Sequence, residues 1–417
     1  MRNIADLAPE IQVKLSGFGK KIRESVMTRP EQKNTVQLVW GMLKSGTSHV
    51  SVISRSLGEA IAPKKTTERL NRTLRKEDYW KRLTEENLRQ HRPAIKQKRF
   101  CVIDLSDIQK PEAEAMEGVG IVYDGDLSKS GDVVTGRGYW WLTGMMVDRD
   151  GCLPVYSELY SLEWERTGEN AKLLGAMAML QRIHPAAIVV LDRGGDRGVI
   201  MEHLISRRQF FIIRGQDQRH LRLHADSRKG TLIGDIARRM KLGRRCQSKR
   251  NGASFDVGIR RVYLGKHPLW LVAARRRNSG LSWYLTNIEG ARDTVMETVL
   301  EGYGFRWCIE EFHRQVKQDY DLEGIRLQRY EAIKSMGVLI MVAVSFCAML
   351  PYGLCIKLMA AAGLLERNRL GDVPNFPFYK LKEAVATAIA ASIKRQPPPL
   401  RIRKRNYFQY ELLFPAF

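Results

Sequence analysis

An uncharged segment, Met336–Ile356, constrains the fold of this chain more than any other part of its sequence. It is long enough to cross a bilayer, which takes about 20 apolar residues. However, it contains a Pro-Tyr-Gly break at Pro351, and no other segment of the sequence resembles it. We therefore predict a buried core helix around which the rest of the chain packs, and we expect no membrane partner.

The charge of the chain predicts a partner that is a polyanion. The 417 residues include 69 Lys and Arg against 45 Asp and Glu, a net charge of +24. Neutralisation of phosphates supplies most non-specific affinity for nucleic acids, so this excess favours a DNA- or RNA-binding protein. A basic protein of the ribosome or of an acidic membrane surface is the alternative. A chain of this length should form two or three domains.

The cysteines and the amino terminus indicate a cytoplasmic protein. Six cysteines and eight histidines are scattered without CxxC or Cys/His ligand spacing, so we expect neither structural zinc nor a disulfide framework. Met1–Ile11 lacks the apolar stretch of a signal peptide.

Residues 1–95 are predicted to form a helical, basic DNA-binding region. "KSGTSH" separates two short apolar-periodic runs, a break of the helix–turn–helix type. The helix predicted after Pro63 is either a recognition helix or phosphate clamp, or merely the solvated face of a helical bundle. Its cations are Lys64, Lys65, Arg69, Arg72, Arg75 and Lys76.

The next part of the chain, residues 96–212, has the order β-β-β-α-β of a mixed sheet. The predicted elements are strands at 99–105, 138–148 and 152–160, a helix at 169–183 and an apolar strand at 186–192. "DRDG" should turn the second strand into the third. The first and last strands end in Asp104 and Asp192.

Three further segments follow. Residues 213–290 alternate short strands with basic turns and predict a β-rich insertion, and residues 291–365 predict the second part of the core. Residues 366–417 are predicted to form a basic C-terminal region, which finishes in an extended tail available to phosphates. Its cations surround three prolines and are Lys394, Arg395, Arg401, Arg403, Lys404 and Arg405.

The stretch "YGFRWCIEEFHRQVK", residues 303–317, predicts an amphipathic helix with a selective polar face. At about 100° per residue, Arg306, Glu310 and Lys317 fall within about 60° of Tyr303. The alternative for this pattern, taken by itself, is an ordinary solvated helix face with a Glu310–Arg314 ion pair. Glu311 projects away from the face, and His313 is expected on the helix surface. The opposite side is apolar: Phe305, Ile309, Phe312 and Val316.

Asp104, Asp192 and Glu310 could converge at the end of the sheet. Three clustered carboxylates repel one another and call for cations, and Mg²⁺ prefers such oxygen ligands. Two ions would suit phosphodiester chemistry. An aspartate after a strand is also commonly a turn or helix cap, and Asp196 could cap the helix that follows.

Residues 99–350 resemble the bacterial insertion-sequence DDE transposases. Their Y-x2-R-x3-E-x6-K signature matches Tyr303, Arg306, Glu310 and Lys317 in register, "VVLDRGGDRG" is similar to their second-Asp motif, and "CVIDLSDIQKP" to their first. The resemblance implies an α/β (α+β) fold with an RNase H-like mixed sheet flanked by helices, split by a β-rich insertion and preceded by a helical DNA-binding region.

The resemblance also implies cut-and-paste transposition. Asp104, Asp192 and Glu310 would ligate two Mg²⁺ ions, for which Mn²⁺ can substitute. Tyr303, Arg306 and Lys317 would hold DNA phosphates. Asp107 is the alternative first carboxylate. Trp283 is the candidate to stack a flipped base, and a core tryptophan is the alternative there.

The partners that the resemblance implies are double-stranded DNA and a second copy of the chain. The DNA would be the terminal inverted repeats and the target, held by a homodimer in a synaptic complex. A bacterial, nucleoid-associated location follows. Cleavage would leave a 3′-hydroxyl, commonly by way of a hairpin. The alternatives are a catalytically silent, transposase-derived DNA-binding protein and a two-metal nuclease without strand transfer.

Overall fold

The computed structural model describes residues 4–123, 134–247, 252–277, 279–364 and 378–395. After a short 3-10 turn, the chain opens with helices α1 (Ala8–Arg23), α2 (Arg29–Ser45), α3 (Val50–Ser56), α4 (Pro63–Leu74) and α5 (Tyr79–Gln97). Of the tail predicted to be extended, Lys394 and Arg395 instead lie in a helix, Phe378–Arg395, and the other cations lie outside the described residues.

The predicted break between α2 and α3 is confirmed. Gly46 ends α2 in the left-handed region, with φ of 69°, where glycine carries no Cβ penalty. In α4, Arg69 turns inward and donates to Glu59 and Gln37, both at 2.6 Å. The cations that remain exposed on or directly after α4 are Lys64, Lys65, Arg72 and Arg75.

The middle of the chain builds the sheet. Its elements are β1 (Phe100–Gln109), β2 (Gly120–Tyr123), β3 (Thr135–Asp148), β4 (Gly151–Tyr160), α6 (Leu162–Glu165), α7 (Glu169–Ile183), β5 (Ile188–Leu191), α8 (Gly198–Ser206), β6 (Phe211–Arg214), β7 (His220–Leu221), β8 (Thr231–Leu232), α9 (Ile233–Arg238), β9 (Arg244–Gln247), β10 (Ser254–Leu264), β11 (His267–Arg276) and β12 (Leu281–Thr286). The last helices are α10 (Arg292–Phe305), α11 (Trp307–Gln318), α12 (Tyr330–Ala348), α13 (Tyr352–Ala361) and α14 (Phe378–Arg395).

The described chain is a mixed α/β fold with a large mixed sheet flanked by helices. The strand order is β2-β3-β1-β5-β6-β12-β11-β10-β9, with β4 also paired to β3. β1, β5 and β6 run parallel, whereas β3 is antiparallel to β1 and to β4. The predicted hairpin turn is confirmed, because Asp148 pairs with Gly151.

Most strands of the predicted insertion continue the core sheet. β12 pairs antiparallel with β6, and β11, β10 and β9 follow outward from it. Only the two-residue strands β7 and β8 pair apart from this sheet among the described residues. The division into domains at residues 95, 212, 290 and 365 stays a prediction.

The uncharged segment forms α12, and the prediction of a buried core helix is confirmed. By length and composition α12 could cross a membrane, but 89% of its apolar window is buried within the protein. It packs against β4, α5 and α2, and Ser345 Oγ donates to Pro154 O at 2.7 Å. The helix ends at Ala348, before Pro351, and α13 begins at Tyr352.

Candidate active site

The first carboxylate lies inside a strand rather than at its end. The prediction that Asp104 ends the strand and that Asp107 lies past it is wrong, because β1 stays paired to β3 as far as Gln109. The parallel pairing of β1 with β5 nevertheless stops at Val102. Asp104 lies just beyond this point, so it is still at the carboxyl edge of the parallel strands.

The second carboxylate follows β5 directly. Asp192 caps a 3-10 turn, and its Oδ1 accepts a hydrogen bond from Gly194 N at 2.8 Å. Asp196 does not cap α8 as predicted. It is buried and binds Gln216 N and Arg219 Nε at 2.7 and 2.8 Å. Asp196 therefore holds the loop after β6 and is not free for chemistry.

The predicted single helix at 303–317 is two helices that meet at Arg306. Arg306 closes α10 and precedes α11, with helical φ and ψ of −54° and −31°. The apolar side of the stretch packs in the core as predicted, and the purely solvated surface helix is excluded. The buried residues are Phe305, Ile309, Phe312 and Val316.

Arg306 joins two of the three predicted catalytic carboxylates. Its Nη1 donates to Asp104 Oδ2 at 3.2 Å, and its Nη2 donates to Glu310 Oε1. The side chains of Arg306 and Asp104 are 19% and 12% exposed, whereas that of Glu310 is 43% exposed. The predicted Glu310–Arg314 pair does not form, since Arg314 pairs with Glu311 at 2.8 Å.

Asp192 interacts electrostatically with both Asp104 and Arg306. Burial, the nearby Asp192 and, more weakly, Glu310 raise the pKa of Asp104 to about 7, although Arg306 opposes this rise. Burial disfavours the charge of Arg306, but Asp104, Glu310 and Asp192 raise its pKa above the ordinary value. Asp104 and Glu310 therefore contact the guanidinium, and Asp192 is near enough to act on it electrostatically. Among the described residues, no three Asp, Glu, His or Cys side chains are close enough to form a ready-made metal site.

Lys317 and Asp107 form a separate pair. Lys317 Nζ lies 3.5 Å from Asp107 Oδ1 and 3.7 Å from Glu323 Oε1. Gln109 Nε2 donates to Asp107 Oδ2 at 2.6 Å. Because its oxygens have these partners, Asp107 is a poorer candidate than Asp104 for the site around Arg306.

The aromatic residues of β12 lie on opposite faces of the sheet. Tyr284 packs against Tyr303, with ring centroids 4.6 Å apart, and Arg306 Cζ lies 5.7 Å from the Tyr303 ring. Trp283 is 7% exposed and lies in the core on the other face, against Gly215. This burial agrees with the alternative of a core tryptophan, and the base-stacking role of Trp283 stays a prediction.

The sequence prediction for His313 is also wrong. It is buried, not on the helix surface, and its Nε2 shares a hydrogen bond with Thr143 Oγ1 at 2.6 Å. Burial first, then Lys317 and Arg306, lower the pKa of His313 to about 3, so the ring is neutral. Thr143 is the register partner of Asp104.

Comparison with known proteins gives little beyond this geometry. No family model matches the chain, and no curated protein matches its sequence. Among solved structures, the chain aligns with a piggyBac transposase synaptic complex with hairpin DNA, with a TM-score of 0.41 and 10% identity. The alignment covers 96% of this chain and 83% of that one. A likeness this distant carries no argument about function.

Proposed function

We propose that this chain is a DNA transposase of the insertion-sequence DDE type, which cuts phosphodiester bonds at transposon ends and joins the freed 3′-hydroxyl to target DNA. One observation carries the proposal. Asp104 from β1 and Glu310 from α11 both bind Arg306, and Asp192 after β5 acts electrostatically on Asp104 and Arg306, at the carboxyl edge of the parallel strands. Residues far apart in sequence thus meet at the edge of the sheet where α/β proteins commonly bind ligands.

The topology supports an RNase H-like core. The strands β4, β3 and β1 are antiparallel neighbours, and β1, β5 and β6 are parallel neighbours. The first acid is on the central strand of this set and the second follows its parallel neighbour. The match of Tyr303, Arg306, Glu310 and Lys317 to the transposase signature adds to this support.

The donor set fits a hard divalent ion. All three groups are carboxylates, the ligands that Mg²⁺ and Mn²⁺ prefer. Burial and then the neighbouring Asp192 raise the pKa of Asp104, and a bound cation would oppose this rise. Asp104, Asp192 and Glu310 would hold the metal. Bound there, it would supply activation of the attacking oxygen and stabilisation of the leaving oxygen.

The other side chains of the signature would position the DNA. The guanidinium of Arg306 is a planar fork that suits phosphate as well as carboxylate, and the ammonium group of Lys317 is a point charge. The side chain of Glu310 is more exposed than that of Asp104 and would meet the DNA before it. The exposed cations of α4 and the net charge of +24 would hold the flanking duplex, with a second copy of the chain completing the synaptic complex.

Glu310→Gln is the test of this proposal. With Mg²⁺ and DNA that carries the sequences flanking the coding region, the wild type should cut, and the variant should bind this DNA without cutting. Glu311→Gln is the matched control, because Glu311 is the adjacent residue and pairs with Arg314 away from the site. Equal cutting by wild type and Glu310→Gln would contradict the proposal.

The same assay separates the alternatives. The contact of Arg306 with two carboxylates also favours a catalytically silent DNA-binding protein, in which the guanidinium replaces the metal permanently. That protein would bind the DNA and never cut it. A nuclease would cut but would not join the 3′-hydroxyl to a second duplex.

A further inference from the structure

We infer that Arg306 is a built-in counter-cation, which blocks the metal positions until a DNA phosphate draws it away, so that the chain binds divalent metal well only when DNA is bound. This inference rests on the proposed function and adds regulation of the same site. It would keep the hydrolytic site closed in the absence of DNA.

Competition for the same oxygens is the first step. Arg306 occupies Asp104 Oδ2 and Glu310 Oε1, which belong to two of the three groups that would ligate the metal. A guanidinium stays charged throughout the physiological pH range, so Arg306 does not release these oxygens by losing its own proton. A metal ion must therefore displace charge-assisted hydrogen bonds before it can bind.

The charges around Asp104 also support a competition between Arg306 and a metal ion. Asp104 is buried beside Asp192 and Glu310, and Arg306 is the cation in contact with it. The described residues contain no ready-made cluster of metal ligands at this place or elsewhere. The acids are thus held in an arrangement that suits the guanidinium, and a metal would require them to move closer together.

The position of Arg306 allows the exchange. It stands at the junction of α10 and α11, and its partner Glu310 is 43% exposed. Phosphate oxygens accept the same forked hydrogen bonds as a carboxylate does. A phosphate beside Glu310 can therefore take over the guanidinium and release both carboxylates. By linkage, metal binding and DNA binding then strengthen each other by the same factor.

The experiment measures Mn²⁺ binding by electron paramagnetic resonance, with no DNA and no turnover. Arg306→Gln should bind Mn²⁺ at least about tenfold more tightly than the wild type, the factor that corresponds to about one lost charge-assisted hydrogen bond. Arg314→Gln is the control, because it removes a guanidinium of α11 that pairs with Glu311 away from the site. This variant should bind Mn²⁺ as the wild type does. Equal affinities of wild type and Arg306→Gln would overturn the inference.

Arg306→Lys covers the case in which the glutamine variant does not fold. A lysine keeps the charge but cannot fork between two carboxylates, so Mn²⁺ affinity should again exceed that of the wild type. A short duplex of arbitrary sequence is the second arm, after subtraction of the Mn²⁺ that the duplex binds alone. The duplex should raise the affinity of the wild type and leave that of Arg306→Gln unchanged. No gain for the wild type would also overturn the inference.

Different results would contradict the proposed function and the inference about Arg306. If Glu310→Gln abolishes cutting while wild type and Arg306→Gln bind Mn²⁺ equally, the transposase proposal stands and only the role of Arg306 is wrong. If Glu310→Gln cuts as well as the wild type, the proposed function fails, and the inference falls with it.

Discussion

At the scale of single residues, two aspartates on one strand have different environments. Asp104 contacts Arg306 and is crowded by Asp192 and Glu310, whereas Asp107 is tied to Lys317 and Gln109. The sequence "IDLSD" could not distinguish them, because the choice depends on which strand residue lies beyond the end of β5. That register follows from pairing across distant segments.

The raised pKa of Asp104 predicts a pH dependence of stability without metal. Its pKa rises from 3.8 to about 7 in the folded chain, so the folded state binds the extra proton between these values. The contribution of Asp104 to the free energy of unfolding should therefore fall as pH rises from about 4 to 7. Asp104→Asn should flatten this fall, as measured by urea denaturation across that range in a chelator, with Asp107→Asn as the control. An unchanged pH slope in Asp104→Asn would contradict this account.

At the scale of secondary-structure elements, one hydrogen bond ties the helix that carries Glu310 to the strand beside Asp104. His313 on α11 and Thr143 on β3 share it at 2.6 Å. The imidazole is neutral, and its ring is tilted against that of Trp141 with centroids 4.8 Å apart. Because both partners are buried, this contact fixes how α11 lies on the sheet.

Thr143→Val should destabilise the fold by about 1–3 kcal/mol, since it leaves a buried imidazole nitrogen without its partner. Thr143→Ser, which keeps the hydroxyl, is the control and should lose less. Urea denaturation at neutral pH measures both. A valine variant as stable as the wild type would mean that the contact contributes nothing to holding α11.

The same elements show what the sequence could predict. The β3–β4 hairpin, α7, β5 and the buried side of α11 follow local periodicity and turn residues, and all were predicted. The break at Arg306 was not, because helical periodicity continues on both sides of it. The burial of His313 depends on Trp141 and Thr143, which lie far away in sequence, so no local pattern could indicate it.

At the scale of the whole molecule, α12 is the centre around which the sheet and the amino-terminal helices pack. Its one buried lysine, Lys334, pairs with Glu165 at 2.7 Å and lies 4.1 Å from the Trp80 ring. The amino-terminal helices are thus joined to the core that carries the site, and DNA held by them would be held relative to that site.

Substitution of the exposed cations of α4 tests whether the amino-terminal helices bind DNA. Replacing Lys64, Lys65, Arg72 and Arg75 by alanine should weaken binding to any duplex and reduce the salt slope by about one unit for each cation that contacts phosphate. Arg69 stays intact, because it is bonded inside the bundle. Fluorescence anisotropy over a salt series measures the slope. An unchanged slope would favour the alternative of a merely solvated basic face.

Strand cleavage by Asp104→Asn beside Asp107→Asn tests the central claim most directly, because the two substitutions are identical in chemistry and lie on the same strand. We expect Asp104→Asn to lose cleavage by about a hundredfold or more, as the loss of a charged group that stabilises the transition state implies. Asp107→Asn should keep most of the wild-type rate, and both variants should still bind DNA. Equal rates for the two variants, or a greater loss in Asp107→Asn, would contradict the site around Arg306.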